Sequence, residues 1–333
     1  MPHKIKENDY LSISARIHAM ENRLLTGERM ERMLDARTAE EAAKVLTECG
    51  YPEFEDLTPA SIERVLGQAR LDVFDDLRKA APDPAIVDVF CIQFDYHNAK
   101  VLIKAQATGK DPDGLFIDAG RYPAEKLAED FGKDDLHNCT DRFRRAVAEA
   151  KESLALTGDP QSADLILDQA YYEEMRAAAQ ASGSDFLAGY VRRSIDAVNL
   201  RSAVRAHRMG RGAEFLRKVL IPGGDLSLDG LVSAATGGAD LTAVAGHGAL
   251  AEAAEAGAKA MEGGSLTRFE RLCDNAVTAY LGQARGVPFG EHPLIGYLYA
   301  RQAELTAIRI ILTGRMAGLD SETIRERLRE SYV

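Results

Sequence analysis

Apolar positions recur at steps of three and four along most of this chain. In segment 12–35 they are Ile13, Ile17, Met20 and Leu24. In 61–80 they are Ile62, Val65, Leu66, Ala69, Val73 and Leu77, and in 84–108 Val87, Phe90, Cys91, Phe94, Val101, Leu102 and Ala105. A period near 3.6 residues marks one face of a helix. Ala, Leu, Glu and Arg dominate these stretches, and β-branched residues seldom cluster, which favours the same reading. Thr58-Pro59 and Ser61 offer alternative start signals for the second helix.

Breakers separate the periodic segments: Asp83-Pro84, the loop Gly109–Pro123, Gly158-Asp159-Pro160, Gly210–Gly212, Pro222-Gly223-Gly224, Gly263-Gly264-Ser265 and Gly286–Pro293. Strands do not alternate with helices. No G-x-G-x-x-G or G-x-x-x-x-G-K-[ST] loop occurs, so nothing suggests a nucleotide-binding sheet. The fold class expected is all-α.

Three of the helices carry one constellation: 94–109, 195–210 and 303–318. An acid stands at Asp95, Asp196 and Glu304. Five residues later comes a base, Lys100, Arg201 and Arg309. Nine residues after the base comes a glycine, Gly109, Gly210 and Gly318. Asn98 and Asn199 fill a further column, where the third copy has Ala307. A second similarity lies upstream, where Leu167-Asp168-Gln169-Ala170 resembles Cys273-Asp274-Asn275-Ala276, with no clean counterpart in the first copy. Length alone, 333 residues at about 150 per domain, suggests two domains. The repeat, with a period of roughly 105 residues, changes that to three helical units, expected at 1–112, 113–222 and 223–333. So long a period makes each unit a small bundle, unlike the shorter repeats of helical solenoids.

The glycines read as helix C-caps, because only glycine takes the left-handed conformation without a Cβ penalty. The acid, amide and base columns have two readings. They keep one helix of each bundle in register, with Asn98 buried and bonded to a neighbouring segment; or they line a surface that partners use three times. The pairs Lys100/Lys104 and Arg201/Arg205 form short basic ridges at i,i+4 spacing, open to the same two readings.

Composition narrows the function classes. The formal charge is −11 and no run of five like charges occurs, which argues against a nucleic-acid binder. No stretch reaches 18 uninterrupted apolar residues, so no membrane span is expected. Cys49, Cys91, Cys139 and Cys273 are far apart and form no C-x-x-C pair, which reads as buried thiols of a reducing compartment. Met1–Tyr10 is polar, without the apolar core of a secretory signal, so a cytoplasmic location is expected.

An enzyme reading rests on two acidic clusters, Asp72 with Asp75-Asp76, and Asp134-Asp135. In all-α prenyl-diphosphate enzymes, paired carboxylate motifs hold magnesium against a diphosphate. Here the second cluster lies in a loop, tryptophan is absent and aromatics are 7%, poor material for a carbocation pocket. Seven histidines form no H-E-x-x-H or close pair, and no serine lies in a G-x-S-x-G elbow. No catalytic residue, metal or cofactor is expected. A generic all-helical scaffold binding partner helices remains the alternative class.

The stretch 10–25 followed by 94–105, together with the length and threefold repeat, resembles the C subunits of A/V-type rotary ATPases, a family whose eukaryotic member is known as the d subunit. The family's D/Y-x-x-N-x-K helix is matched by Asp95, Asn98 and Lys100, and by Asp196, Asn199 and Arg201. The third copy departs from it, with Glu304, Ala307 and Arg309. The resemblance implies a funnel of three similar bundles about a pseudo-threefold axis, on the cytoplasmic face of the membrane rotor ring. The foot of the central shaft, made of the D and F subunits, would sit in its cavity. It further implies a non-catalytic coupling role between the ATP-hydrolysing head and the proteolipid ring that carries the ions.

Overall fold

The computed structural model describes residues 6–112 and 114–332. Met1–Ile5, Asp113 and Val333 lie outside the described residues. The first half of the N-terminal stretch 1–10 and the expected limits at 1, 113 and 333 therefore fall outside.

Every regular element among the described residues is helical. The first five helices are α1 (Leu11–Glu21), α2 (Gly27–Asp35), α3 (Ala39–Lys44), α4 (Pro59–Ala80) and α5 (Pro84–Thr108). Then come α6 (Ala124–Gly132), α7 (Asp141–Thr157), α8 (Pro160–Ser182) and α9 (Asp185–Arg208). Short helices α10 (Ala213–Val219), α11 (Leu228–Ala235), α12 (Leu241–Ala245) and α13 (Ala251–Met261) lead to α14 (Leu266–Leu281), α15 (Glu291–Met316) and α16 (Ser321–Arg325). The all-α class stands. No helix among the described residues is long and apolar enough to cross a membrane.

Local chemistry sets the ends. Both start signals of α4 act together: the Thr58 side chain accepts the Ser61 N–H, and Ser61 Oγ accepts the Thr58 N–H, a reciprocal box with Pro59 as first helical residue. Asp83 caps α5 ahead of Pro84 by accepting the Ala85 N–H. Segment 12–35 is two helices, not one. The apolar pattern runs on to Leu24, but the first helix ends at Glu21, Thr26 caps α2 by accepting the Arg29 N–H, and Glu304 binds the Leu25 N–H between them.

The long helices pack in a cyclic order. α5 packs most extensively on α8, α9 on α14, and α15 returns to α4 and α1 at the chain's beginning. The expected limits at 112 and 222 fall after α5 and after α10, so they divide α5 and α9 from the α8 and α14 on which they pack. The core has two parts. The larger runs through α5, α8, α9, α14 and the first half of α15. The smaller joins Leu25–Leu66 to Leu305–Leu328, the two ends of the chain. α5 is buried nearly all round rather than on one face, since α4, α6, α7, α8 and α15 all touch it. Cys49, Cys91, Cys139 and Cys273 are buried free thiols.

Candidate functional site, the seams between repeats

The acid and amide columns turn inward and hold the chain's own continuation. Asn98 is fully buried. Its Nδ2 donates to the Ile117 carbonyl and its Oδ1 accepts the Ile117 N–H, both at 2.9 Å. Asn199 does the same with Ile221, at 2.7 and 2.8 Å. Four residues further along each segment, the acid is engaged. Asp95 accepts the N–H groups of Arg121 and Tyr122, and Asp196 those of Asp225 and Leu226. The Arg121 Nε also donates to Asp95 at 2.6 Å, and its Nη1 reaches Glu174 at 2.9 Å. Burial pushes the Asp95 carboxyl up to about 6, with Arg121 and the two backbone donors opposing a larger rise. Asp196 shifts upward for the same first cause.

Gly120 and Gly224 belong to this clamp. Each immediately precedes the residues that donate to the acid, and a Cβ on either would fall inside the Asp95 or Asp196 carboxylate. In the third copy the clamp partner is different. Glu304 accepts the Leu25 N–H at 2.7 Å and the Tyr51 hydroxyl at 2.5 Å, and pairs with Arg301. The segment held comes from the start of the chain and not from the stretch after the helix, and the third copy holds it without an asparagine, Ala307 standing in that column. Gly109, Gly210 and Gly318 all stand at positive φ, +64°, +64° and +71°, at the helix ends expected from their spacing.

The base column points the other way, across the seam to the next packed helix. Lys100 pairs with Asp168 at 2.6 Å. Arg201 pairs with Asp274, which also receives Arg329 Nε at 2.7 Å. Arg309 grips Glu63 through two bonds, Nη2 to Oε2 at 2.7 Å. One turn along, Lys104 pairs with Asp164 and Arg205 with Glu270. The basic ridges thus meet acids of this chain. The third copy has Thr313 in that second rung, bonded to the Arg309 and Ile310 carbonyls of its own helix. Asp168 and Asp274 are the upstream similarity seen in the sequence. Glu63 is its missing first-copy member, which sequence reasoning passed over; the signal was an apolar–acid pair, Ile62-Glu63, at a similar distance before Asp95.

The acidic clusters behind the enzyme reading are bonded locally. Asp72 accepts from Gln68, Asp75 pairs with Lys79, and Asp76 with Arg16. Asp134 pairs with Lys151 and Asp135 with His137. Among the described residues no group of three metal-ligating side chains converges. His97, exposed on α5, bonds the Leu115 carbonyl at 3.0 Å.

Comparison with known proteins agrees with this full-length pattern. The family described as ATP synthase (C/AC39) subunit matches residues 13–327. The C subunit of the V-type sodium ATPase of Enterococcus hirae is 26% identical, covering 97% of this chain and 99% of its own. The C subunit of the A-type ATP synthase of Methanocaldococcus jannaschii is 26% identical, covering 96% and 86%. The C subunit of the V-type ATP synthase of Deinococcus radiodurans is 24% identical, covering 96% and 91%. With a match over nearly all its helices, the chain belongs to the ATP synthase (C/AC39) subunit family.

Proposed function

We propose that this chain is a non-catalytic central-stalk subunit of a rotary A/V-type ATPase, a socket that couples the rotating shaft to the membrane rotor ring. Its partners in this reading are the D and F subunits of the shaft and the proteolipid ring, with the chain peripheral on the cytoplasmic side. The observation that carries the reading is the cyclic run of base–acid rungs. Lys100 reaches Asp168, Arg201 reaches Asp274, and Arg309 closes back on Glu63. A chain whose last long helix locks onto its first long helix favours a closed ring over an open scaffold. We further place the repeating unit from the acid–base helix forward, α5–α8, α9–α14, and α15–α16 completed by α2–α4, related by a pseudo-threefold axis. Clasps made between distant parts of one chain suit a part that must transmit torque without shearing. The test is size exclusion of the purified chain with the D and F subunits of its own organism, at low and moderate salt. Co-elution as a one-to-one-to-one complex is expected. Failure to bind D and F together with failure to bind the detergent-solubilised ring would overturn the reading.

A further inference from the structure

The third seam leaves one positive charge unanswered. Arg70 on α4 lies seven residues past Glu63. At the same spacing after Asp168 and Asp274 stand Met175 and Leu281, both buried and apolar. Arg70 is only 9% exposed, yet among the described residues no carboxylate or carbonyl bonds its guanidinium. It lies over the Phe94 ring, 5.2 Å from the centroid. The nearby charges are already engaged. Arg309 and Glu63 grip each other, and Glu304 is filled by Leu25, Tyr51 and Arg301. Burial first, and then the charge of Arg309, pull the Arg70 pKa down. The guanidinium nitrogens keep contact with solvent, so the charge faces an open cleft and not sealed core, whereas two of the three copies place an apolar residue at this position.

The Arg70 side chain lines a cleft of about 420 Å³ beside α15. Leu25, Met30, Phe94, Ile117, Ala307 and Ile310 line it with apolar surface. Ala307 stands where the other copies hold their connecting segment through an asparagine. At the other end, Arg329 is taken by Asp274. The volume lies in the range of small-ligand sites, which are mostly apolar with a few polar anchors.

We propose that Arg70 anchors a binding site for a carboxylate carried on an apolar body, seated in this cleft between α4, α5 and α15. Arg309 and Arg329 of the same lining are already paired with Glu63 and Asp274, and Glu330 adds a carboxylate, so the charge left for a ligand suits a monoanion at most and not a phosphate dianion. The planar guanidinium fork suits a carboxylate, while Phe94 covers one of its faces. This inference stands independently of the stalk role. Two sources supply such a group, a free amphiphilic acid and an acidic side chain flanked by apolar residues on a partner.

The experiment titrates the full chain with octanoate, and separately with the capped peptide acetyl-Leu-Glu-Leu-amide, by calorimetry. Octylamine and inorganic phosphate serve as controls. Saturable binding of octanoate alone identifies a free acid, and binding of the peptide alone a partner side chain. In either case Arg70→Met should weaken binding by about 10- to 100-fold, the loss expected for a charge-assisted hydrogen bond. Arg70→Lys, which keeps the charge but not the fork, is the second variant should Arg70→Met fail to fold. Binding unchanged in these variants, or no saturable binding of either probe up to about 10 mM, would overturn the proposal.

Discussion

Asn98 and Asn199 each satisfy both backbone groups of a single residue, so their value lies in what their loss would strand. Replacing Asn98 by Leu leaves the N–H and carbonyl of half-buried Ile117 without these partners. Urea unfolding of Asn98→Leu is expected to show a loss of about 1–3 kcal/mol, and Asn199→Leu a similar one. Glycines can be ranked the same way. Gly109→Ala meets open space but a left-handed backbone, a cost of about 1–2 kcal/mol. Gly120→Ala drives a methyl into the buried Asp95 carboxylate and should cost more, an order that thermal melts would reverse if the clamp were loose. At this scale the sequence was legible for the residues of the columns and silent on their targets. Asp95, Asn98 and the three glycines stood out by spacing. Gly120 and Gly224 did not, because their role appears only when a carboxylate approaches from another part of the chain.

Helices were legible wherever their ends are set locally. The spans 61–80 and 84–108 match α4 and α5 closely, since Thr58-Pro59 and Asp83-Pro84 are self-contained start signals. Thr58→Ala, which removes the reciprocal box, should cost about 0.5–2 kcal/mol by denaturant titration. The break inside 12–35 was hidden, because Glu304, which ties down Leu25, lies 279 residues away. α1 has a switchable attachment. His18 Nδ1 meets Glu21 Oε2 at 2.9 Å and its Nε2 meets the Pro288 carbonyl at 3.1 Å. Both partners accept, so both ring nitrogens must donate, which requires the imidazolium. The Glu21 hydrogen bond accordingly raises the His18 pKa above its ordinary value. A raised pKa means stabilisation that is complete below the unfolded value, about 6.5, and lost as pH rises through the folded one. Amide exchange across α1 should therefore quicken as pH rises above about 6.5, beyond the intrinsic base-catalysed increase. His18→Gln should remove that excess.

Across the whole molecule, the rungs set register more than they supply stability. The Arg309–Glu63 pair is partly exposed, at 35% and 53% for the two side chains. A double-mutant cycle with Arg309→Ala and Glu63→Ala should return a coupling of only about 0.2–1 kcal/mol at neutral pH. The hydrogen bond from Arg309 holds the Glu63 carboxyl below its ordinary range. The coupling is thus present above the unfolded glutamate value and should vanish as pH falls through the lowered one. The repeat was legible from the sequence because two copies share their residues closely. Closure between the first and last units was expected from the repeat, but the residue that makes the closing rung was not legible, since Glu63 shares with Asp168 and Asp274 only its charge and an apolar neighbour, and its base sits at the far end of the chain. That separation has a consequence for how the protein is made. Arg309 and Glu63 are 246 residues apart, and the smaller core joins the same two ends. At roughly 5–20 residues per second, a ribosome exposes Ile62, Val65 and Leu66 for about 10–50 s before their α15 partners emerge. The α4 side of this smaller core is therefore among the last parts to find its place. The nascent chain carries an uncovered apolar face through most of its synthesis, which makes this stretch of α4 the natural target for a chaperone that binds before termination.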